Sequence, residues 1–181
     1  CLKRCPPEAI RIRKGRATII DELCIDCGEC IRVCQQHAKI AVTDPLSSIN
    51  RFKYKIALPA PTLYGQFKKL SDISSISRGL LRMGFSDVFD VARGADIASR
   101  AIMEKLKSPN CPHPLISSAC PAVLRLIQVR FPELIENVVD VRSPMEIAAT
   151  VARKEFCEKH GVRPEEVGCF FITPCASKAT A

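Results

Sequence analysis

The 181-residue sequence predicts a small α+β domain over residues 1–41, a linker over 42–54, and an α/β lobe over 55–181 with a mainly parallel four-stranded sheet. Three observations predict this. Six of the eleven cysteines crowd into the first 34 residues, around two short β-rich runs. Residues 42–54 carry turn residues, Asp44-Pro45 and Ser47-Ser48, without sustained periodicity. From residue 55, short apolar runs alternate with segments of helical spacing, as in parallel strands joined by right-handed crossovers.

Within the first domain the decisive stretch is Cys24-Ile25-Asp26-Cys27-Gly28-Glu29-Cys30-Ile31-Arg32-Val33-Cys34. Its C-x2-C-x2-C-x3-C spacing is that of a [4Fe–4S] ligand run of bacterial ferredoxin type. Two-residue gaps let three thiolates of one loop converge on three corners of a cubane, and Gly28 permits the tight turn between them. Disulfide pairing or apolar burial would not require this spacing. A zinc ribbon needs two well-separated C-x2-C pairs. Upstream, Cys1-Leu2-Lys3-Arg4-Cys5-Pro6 has the C-x3-C-P ending of a second such run, opening in mid-motif, so the chain is expected to be a fragment. The fourth cysteine of each run ligates the other cluster. One complete set is therefore expected, Cys5, Cys24, Cys27 and Cys30, with Cys1 and Cys34 left to a second cluster. Ile10–Arg13 and Arg16–Ile20, around Lys14-Gly15, read as a hairpin between the two runs. Gln35 stands where a proline usually follows the fourth cysteine.

In the second domain, strands are expected at Lys55–Ala60, Ser86–Val91, Pro114–Ser118 and Val167–Ile172. Helices are expected at Gln66–Met83 (with Phe67, Leu70, Ile73, Ile76, Leu80 and Leu81 at helical spacing), Ala92–Lys107, Pro121–Phe131 and Ser143–His160. Pro121 suits a first helical turn. Ser143 with Glu146 forms a capping box, and Gly161 a stop. Ligands of such sheets sit at the carboxyl ends of the strands. Two motifs fall there: Ser117-Ser118-Ala119-Cys120-Pro121 and Thr173-Pro174-Cys175-Ala176-Ser177-Lys178. A thiolate at a helix start is favoured by backbone amides and the dipole. At equivalent strand ends, Cys120 and Cys175 point to one shared site. Cys111, Cys157 and Cys169 show no such placement and read as structural.

Composition narrows the function classes. No stretch approaches the roughly 18 apolar residues of a membrane span. Cysteine crowding in this spacing suits a reducing compartment, hence the cytoplasm. The formal charge of +8 counts thiols as neutral, whereas a cubane with four thiolates carries about −2 when oxidised. The remaining basic surface suits an acidic or ferredoxin-like redox partner. Nucleic acid is not expected, since Arg11, Arg13, Arg16 and Arg32 are scattered and aromatics make up only 6% of the chain.

On these motifs the chain resembles the iron-only ([FeFe]) hydrogenase large-subunit family with its accessory two-cluster ferredoxin domain. Residues 1–34 resemble that accessory domain. Gly84-Phe85-Ser86-Asp87-Val88-Phe89-Asp90, Gly94-Ala95-Asp96, Pro132-Glu133-Leu134 and Ser143-Pro144-Met145 resemble segments of the catalytic lobe. Ser117–Pro121 is similar to the first active-site signature, T-S-C-C-P, and Thr173–Lys178 to the second, M-P-C-x-x-K. The resemblance implies that Cys120 and Cys175 ligate the cubane of the H-cluster and that Lys178 contacts a diatomic ligand of its di-iron centre. It also implies a third signature, bringing the bridging cysteine, beyond residue 181. The chain departs from the family at Ala119, which stands where the family has its proton-relay cysteine, and at Val123 and Thr173, which replace a tryptophan and a methionine. Ala119 has no titratable group. Two readings follow. One is a redox enzyme or hydrogen sensor receiving electrons through the first domain. The other is a non-catalytic iron–sulfur protein for electron transfer, scaffolding or signalling.

Overall fold

The computed structural model describes residues 2–67 and 72–180. In chain order its strands and α-helices are β1 (Ile10–Arg13), β2 (Arg16–Ile19), α1 (Glu29–Arg32), β3 (Tyr54–Pro59), α2 (Pro61–Tyr64), α3 (Ser74–Arg82), β4 (Asp87–Val88), α4 (Val91–Leu106), α5 (Pro121–Arg130), α6 (Pro144–His160), β5 (Val167–Ile172) and α7 (Ala176–Thr180). They group into two compact units, each assembled from separate stretches of chain. Unit 1 is residues 2–43, 109–140 and 175–180; unit 2 is 44–108 and 141–174.

Unit 2 is built on a parallel sheet of order β4-β3-β5, with Ile56 paired to Asp87 on one side and to Cys169 on the other. Because β3 is central, both its faces are buried, which explains its continuous apolar run. Ile56 and Leu58 pack with Phe89, Val91, Ala148, Ala152, Phe156 and Val167. Ala57, on the opposite face, packs with Ile49, Ile76, Leu80 and Phe85. Ile49 comes from a 3-10 turn over Leu46–Arg51.

Helices α4 and α6 meet at Gly94. A Cβ there would lie 2.3 Å from the Pro144 carbonyl oxygen and 3.0 Å from Ala148 Cβ, so only glycine permits this approach. Arg93 spans the same helix pair, donating to both carboxylate oxygens of Glu155 at 2.9 and 2.6 Å. Asp90 caps α4 by accepting from the Ala92 amide. Ser143 and Glu146 cap α6 reciprocally, and Gly161 ends it at φ 63°.

The four-stranded expectation is corrected to three strands among the described residues. Residues 114–118 form no sheet strand. Ile116 makes only an isolated parallel bridge to Val138, through the bonds Ile116 N to Asn137 O and Val139 N to Ile116 O, both 2.8 Å. Pro114 has no N–H to give a ladder, and Leu115-Ile116 is too short an apolar run to cover two faces of a sheet. Strand β4 is shorter than expected because Asp90 turns the chain into α4, although Ser86 N and Phe89 N still bond to the Lys55 and Ala57 carbonyls. Helix α3 starts at Ser74, where Asp72 Oδ1 accepts from the Ser74 amide. Ile76 and Leu80 are buried, Phe67, Ile73 and Leu81 are exposed, and Leu70 lies outside the described residues.

Unit 1 holds the β1–β2 hairpin, in register from Ile10↔Ile19 to Arg13↔Arg16. Lys14 and Gly15 both have positive φ, 49° and 72°, as a two-residue type I′ turn requires. Buried in unit 1 are Pro7, Ala9, Ile10, Ile25, Ile127 and Val139.

Replacing Ser143 by alanine is expected to destabilise the protein by about 1 kcal/mol at neutral pH, read as a lower Tm. Hydrogen bonds from Ser143 hold the Glu146 carboxyl below the ordinary glutamate range. A depressed folded value contributes stability above the unfolded value and loses it as pH falls through the folded one. The gap between wild type and variant should therefore narrow in acid.

Candidate iron–sulfur site

All the proposed metal ligands that the structure describes lie in unit 1. Cys24 follows a turn in which its amide donates to the Ile20 carbonyl at 3.0 Å. Asp26 and Gly28 then take positive φ, 52° and 74°, folding the loop back before α1. Cys30 lies in α1 and Cys27 in the loop before it. The other arm comes from Cys5-Pro6-Pro7-Glu8, a turn closed by Glu8 N to Cys5 O at 3.0 Å, in which the Ala9 amide donates to Cys5 Sγ at 3.3 Å.

Cys5, Cys24, Cys27 and Cys30 line one cavity of about 230 Å³, walled by Pro7, Ile10, Ile19, Ile25, Ile31 and Ile40 among others. Four thiols around an apolar-walled cavity suit a cubane, whose ligand sulfurs stand ~6–7 Å apart. Among the described residues, no three Cys, His, Asp or Glu side chains form a group able to hold a single metal ion. Burial pushes the Cys24 and Cys30 thiols up, and for Cys30 the neighbouring Cys27 and Cys5 add to the effect. Cluster binding must therefore release protons.

Cys34 is not part of this cavity wall. Its sulfur accepts from the Ala38 amide at 3.3 Å, and that hydrogen bond holds the thiol below its ordinary value. Cys1 lies outside the described residues.

Cys120 is the N-cap of α5, extended at φ −113° and followed by Pro121. Cys175 precedes α7, and its carbonyl accepts from the Ala179 amide at 3.1 Å. Lys178 on α7 donates to the Ala119 carbonyl at 3.1 Å, so the two signature stretches are joined directly. The cavity wall also includes Ala176 and Thr180 of α7. Cys120 does not close a strand of the sheet as expected, because 114–118 is not one. Cys157 and Cys169 pack against the core of unit 2.

Three features of the site escaped the sequence. A Cβ on Gly28 would lie 2.8 Å from Ala176 Cβ, so the cysteine loop and α7 are in close contact. Arg125 of α5 donates to the carbonyls of Asp21, Glu22 and Cys24 at 3.3–3.4 Å. Arg130 donates to the Pro7 carbonyl at 3.0 Å. These partners are about a hundred residues apart, and an arginine on a helix gives no sequence signal of its acceptor.

The family described as iron only hydrogenase large subunit, C-terminal domain, matches residues 53–180, and a 4Fe-4S binding domain matches residues 17–39. The chain belongs to the iron-only hydrogenase large-subunit family. It is 27% identical over 137 residues to iron hydrogenase 1 of Clostridium pasteurianum, covering 70% of this chain and 24% of that protein. It is 25% identical over 116 residues to the cytosolic Fe-S cluster assembly factor NAR1 of Yarrowia lipolytica, covering 64% and 23%. A solved variant of the [FeFe]-hydrogenase HydA1 from Chlamydomonas reinhardtii superposes with a TM-score of 0.59 at 25% identity, over 75% of this chain and 36% of that one. The chain spans about a quarter to a third of the length of the curated relatives it matches. As an iron–sulfur member of the hydrogenase family it carries a 4Fe-4S binding domain, and no helix among the described residues is long and apolar enough to cross a membrane.

Gly28→Ala combines a disfavoured φ with a contact into Ala176. It should destabilise unit 1 by about 1–3 kcal/mol and lower the iron retained after anaerobic reconstitution, checked by thermal unfolding and iron analysis.

Proposed function

We propose that this chain is the electron-entry part of a hydrogenase-type redox protein. It holds a [4Fe–4S] cluster on Cys5, Cys24, Cys27 and Cys30, and supplies Cys120 and Cys175 to an H-cluster-type cubane in a longer parent. The observation carrying this reading is the four-cysteine cavity whose wall includes Ala176, the residue next to Cys175. A bound cluster supplies one-electron storage, and the H-cluster supplies the metal chemistry of hydrogen. The chain's own residues do the rest. The Ala9 amide stabilises thiolate charge on Cys5. Buried Ile10 and Ile25 give the wall its apolar lining. Lys178, tethered to the Ala119 carbonyl, holds a cation between the signatures. Cys34 and Cys1 would serve a second cluster. In this reading residues 1–41 act as the ferredoxin-type domain, 42–54 as a linker, and 55–181 as the first part of the catalytic-type domain.

The hairpin gathers Arg11, Arg13, Lys14 and Arg16, which look scattered in the sequence, into one exposed basic stretch, suited to an acidic electron carrier in the cytoplasm. Reduction by an acidic ferredoxin should slow steeply between low and high ionic strength in stopped-flow measurements. A salt-independent rate would remove this partner.

Reconstituted anaerobically, the 181-residue chain should hold about four tightly bound irons. Near eight would contradict the ligand assignment, and none would remove the electron-entry role.

A second reading is a non-catalytic iron–sulfur protein. Ala119 favours it, since no proton passes through a methyl group, and so does the similarity to NAR1. Hydrogen sensing lies between the two readings, with slow turnover. In the matured parent, Ala119→Cys should raise hydrogen turnover by about 10²–10⁴-fold. An unchanged rate by gas chromatography would favour the non-catalytic reading.

A further inference from the structure

The four thiols assigned to the cluster come from two stretches separated by a hairpin, and α5 reaches both. Arg125 donates to the Cys24 carbonyl and to those of Asp21 and Glu22 just before it. Arg130 donates to the Pro7 carbonyl, two residues from Cys5. Each stretch thus receives a guanidinium from one helix, and that helix begins at Cys120. Asp21, Asp26 and Glu29 contribute to the cavity wall against Lys39 alone, and Glu29 is engaged by Arg32 and Arg4.

We propose that Arg125 and Arg130 form an electropositive clamp on the two thiol-bearing stretches, raising the reduction potential of the cluster that they hold. This rests on the four-cysteine assignment above. Reduction adds one electron, and no proton, to a cluster already carrying net negative charge. A fixed positive charge nearby stabilises the reduced form more than the oxidised one, and net local charge is among the determinants of such potentials. The guanidinium is always charged, and its fork of donors can hold several carbonyls at once. Both arginines act through the loops they position and are not ligands.

The test uses the 181-residue chain, reconstituted anaerobically and titrated with dithionite under EPR. The wild-type protein must first show a reducible [4Fe–4S] signal; its absence would remove the cluster assignment itself, a separate failure. With that signal present, Arg125→Gln and Arg130→Gln should each lower the midpoint potential beyond the scatter of replicate titrations. Arg125→Lys, which keeps the charge but not the fork, should stay nearer to wild type than Arg125→Gln. Unchanged potentials in both glutamine variants at full iron content would overturn the proposal. So would loss of the cluster from both, which would make the arginines structural clamps only.

Discussion

Three thiols spaced two residues apart can face one cavity only if the chain between them turns back on itself. Positive φ at Asp26 and Gly28 achieves this, and much of unit 1 follows from it. The turn brings Cys24, Cys27 and Cys30 to one side, and α1 starts immediately after it. It also exposes the backbone at Gly28, against which Ala176 packs without a side chain between. An alanine at 28 would meet both constraints at once, the conformational and the steric. Just before the turn, the carbonyls of Asp21, Glu22 and Cys24 accept from Arg125 of another helix.

Unit 2 depends on a different economy of space. Strand β3 is covered on both faces, by the α4–α6 pair on one and by α3 with the 3-10 turn at Leu46–Arg51 on the other. The α4–α6 approach is as close as Gly94 and Ala148 allow. The residues fixing this packing are small, while the large ones, Phe89 and Phe156, fill the space beside the contact. Arg93 closes the exposed side of the helix pair, stacking over Phe89 at 4.4 Å while bonded to Glu155.

The cavity, Ala119 and Lys178 all lie in unit 1. The cavity has four thiols, an amide donor to Cys5 and a partly apolar wall. At Ala119 the side chain offers no proton donor, and its carbonyl is occupied by Lys178.

The local features were legible from the residues themselves. The C-x2-C-x2-C-x3-C run, the Lys14-Gly15 hairpin turn, the Ser143–Glu146 capping box and the Gly161 stop are set by neighbours within a few positions, and short-range chemistry decides them. The strand at Val167–Ile172 and the helix from Pro121 are equally local. What the tertiary structure decided needed distant partners. Residues 114–118 have a strand's apolar start, but their hydrogen bonds go to 137–139 and not to the sheet, because pairing depends on where a partner's free edge lies. The ligand spacing already grouped Cys5 with Cys24, Cys27 and Cys30 and set Cys34 apart; the tertiary structure adds the cavity that those four line. The arginine contacts from α5 and the fit of Gly28 against Ala176 join residues more than a hundred positions apart. No spacing rule reaches that far, since such contacts exist only once both elements have folded.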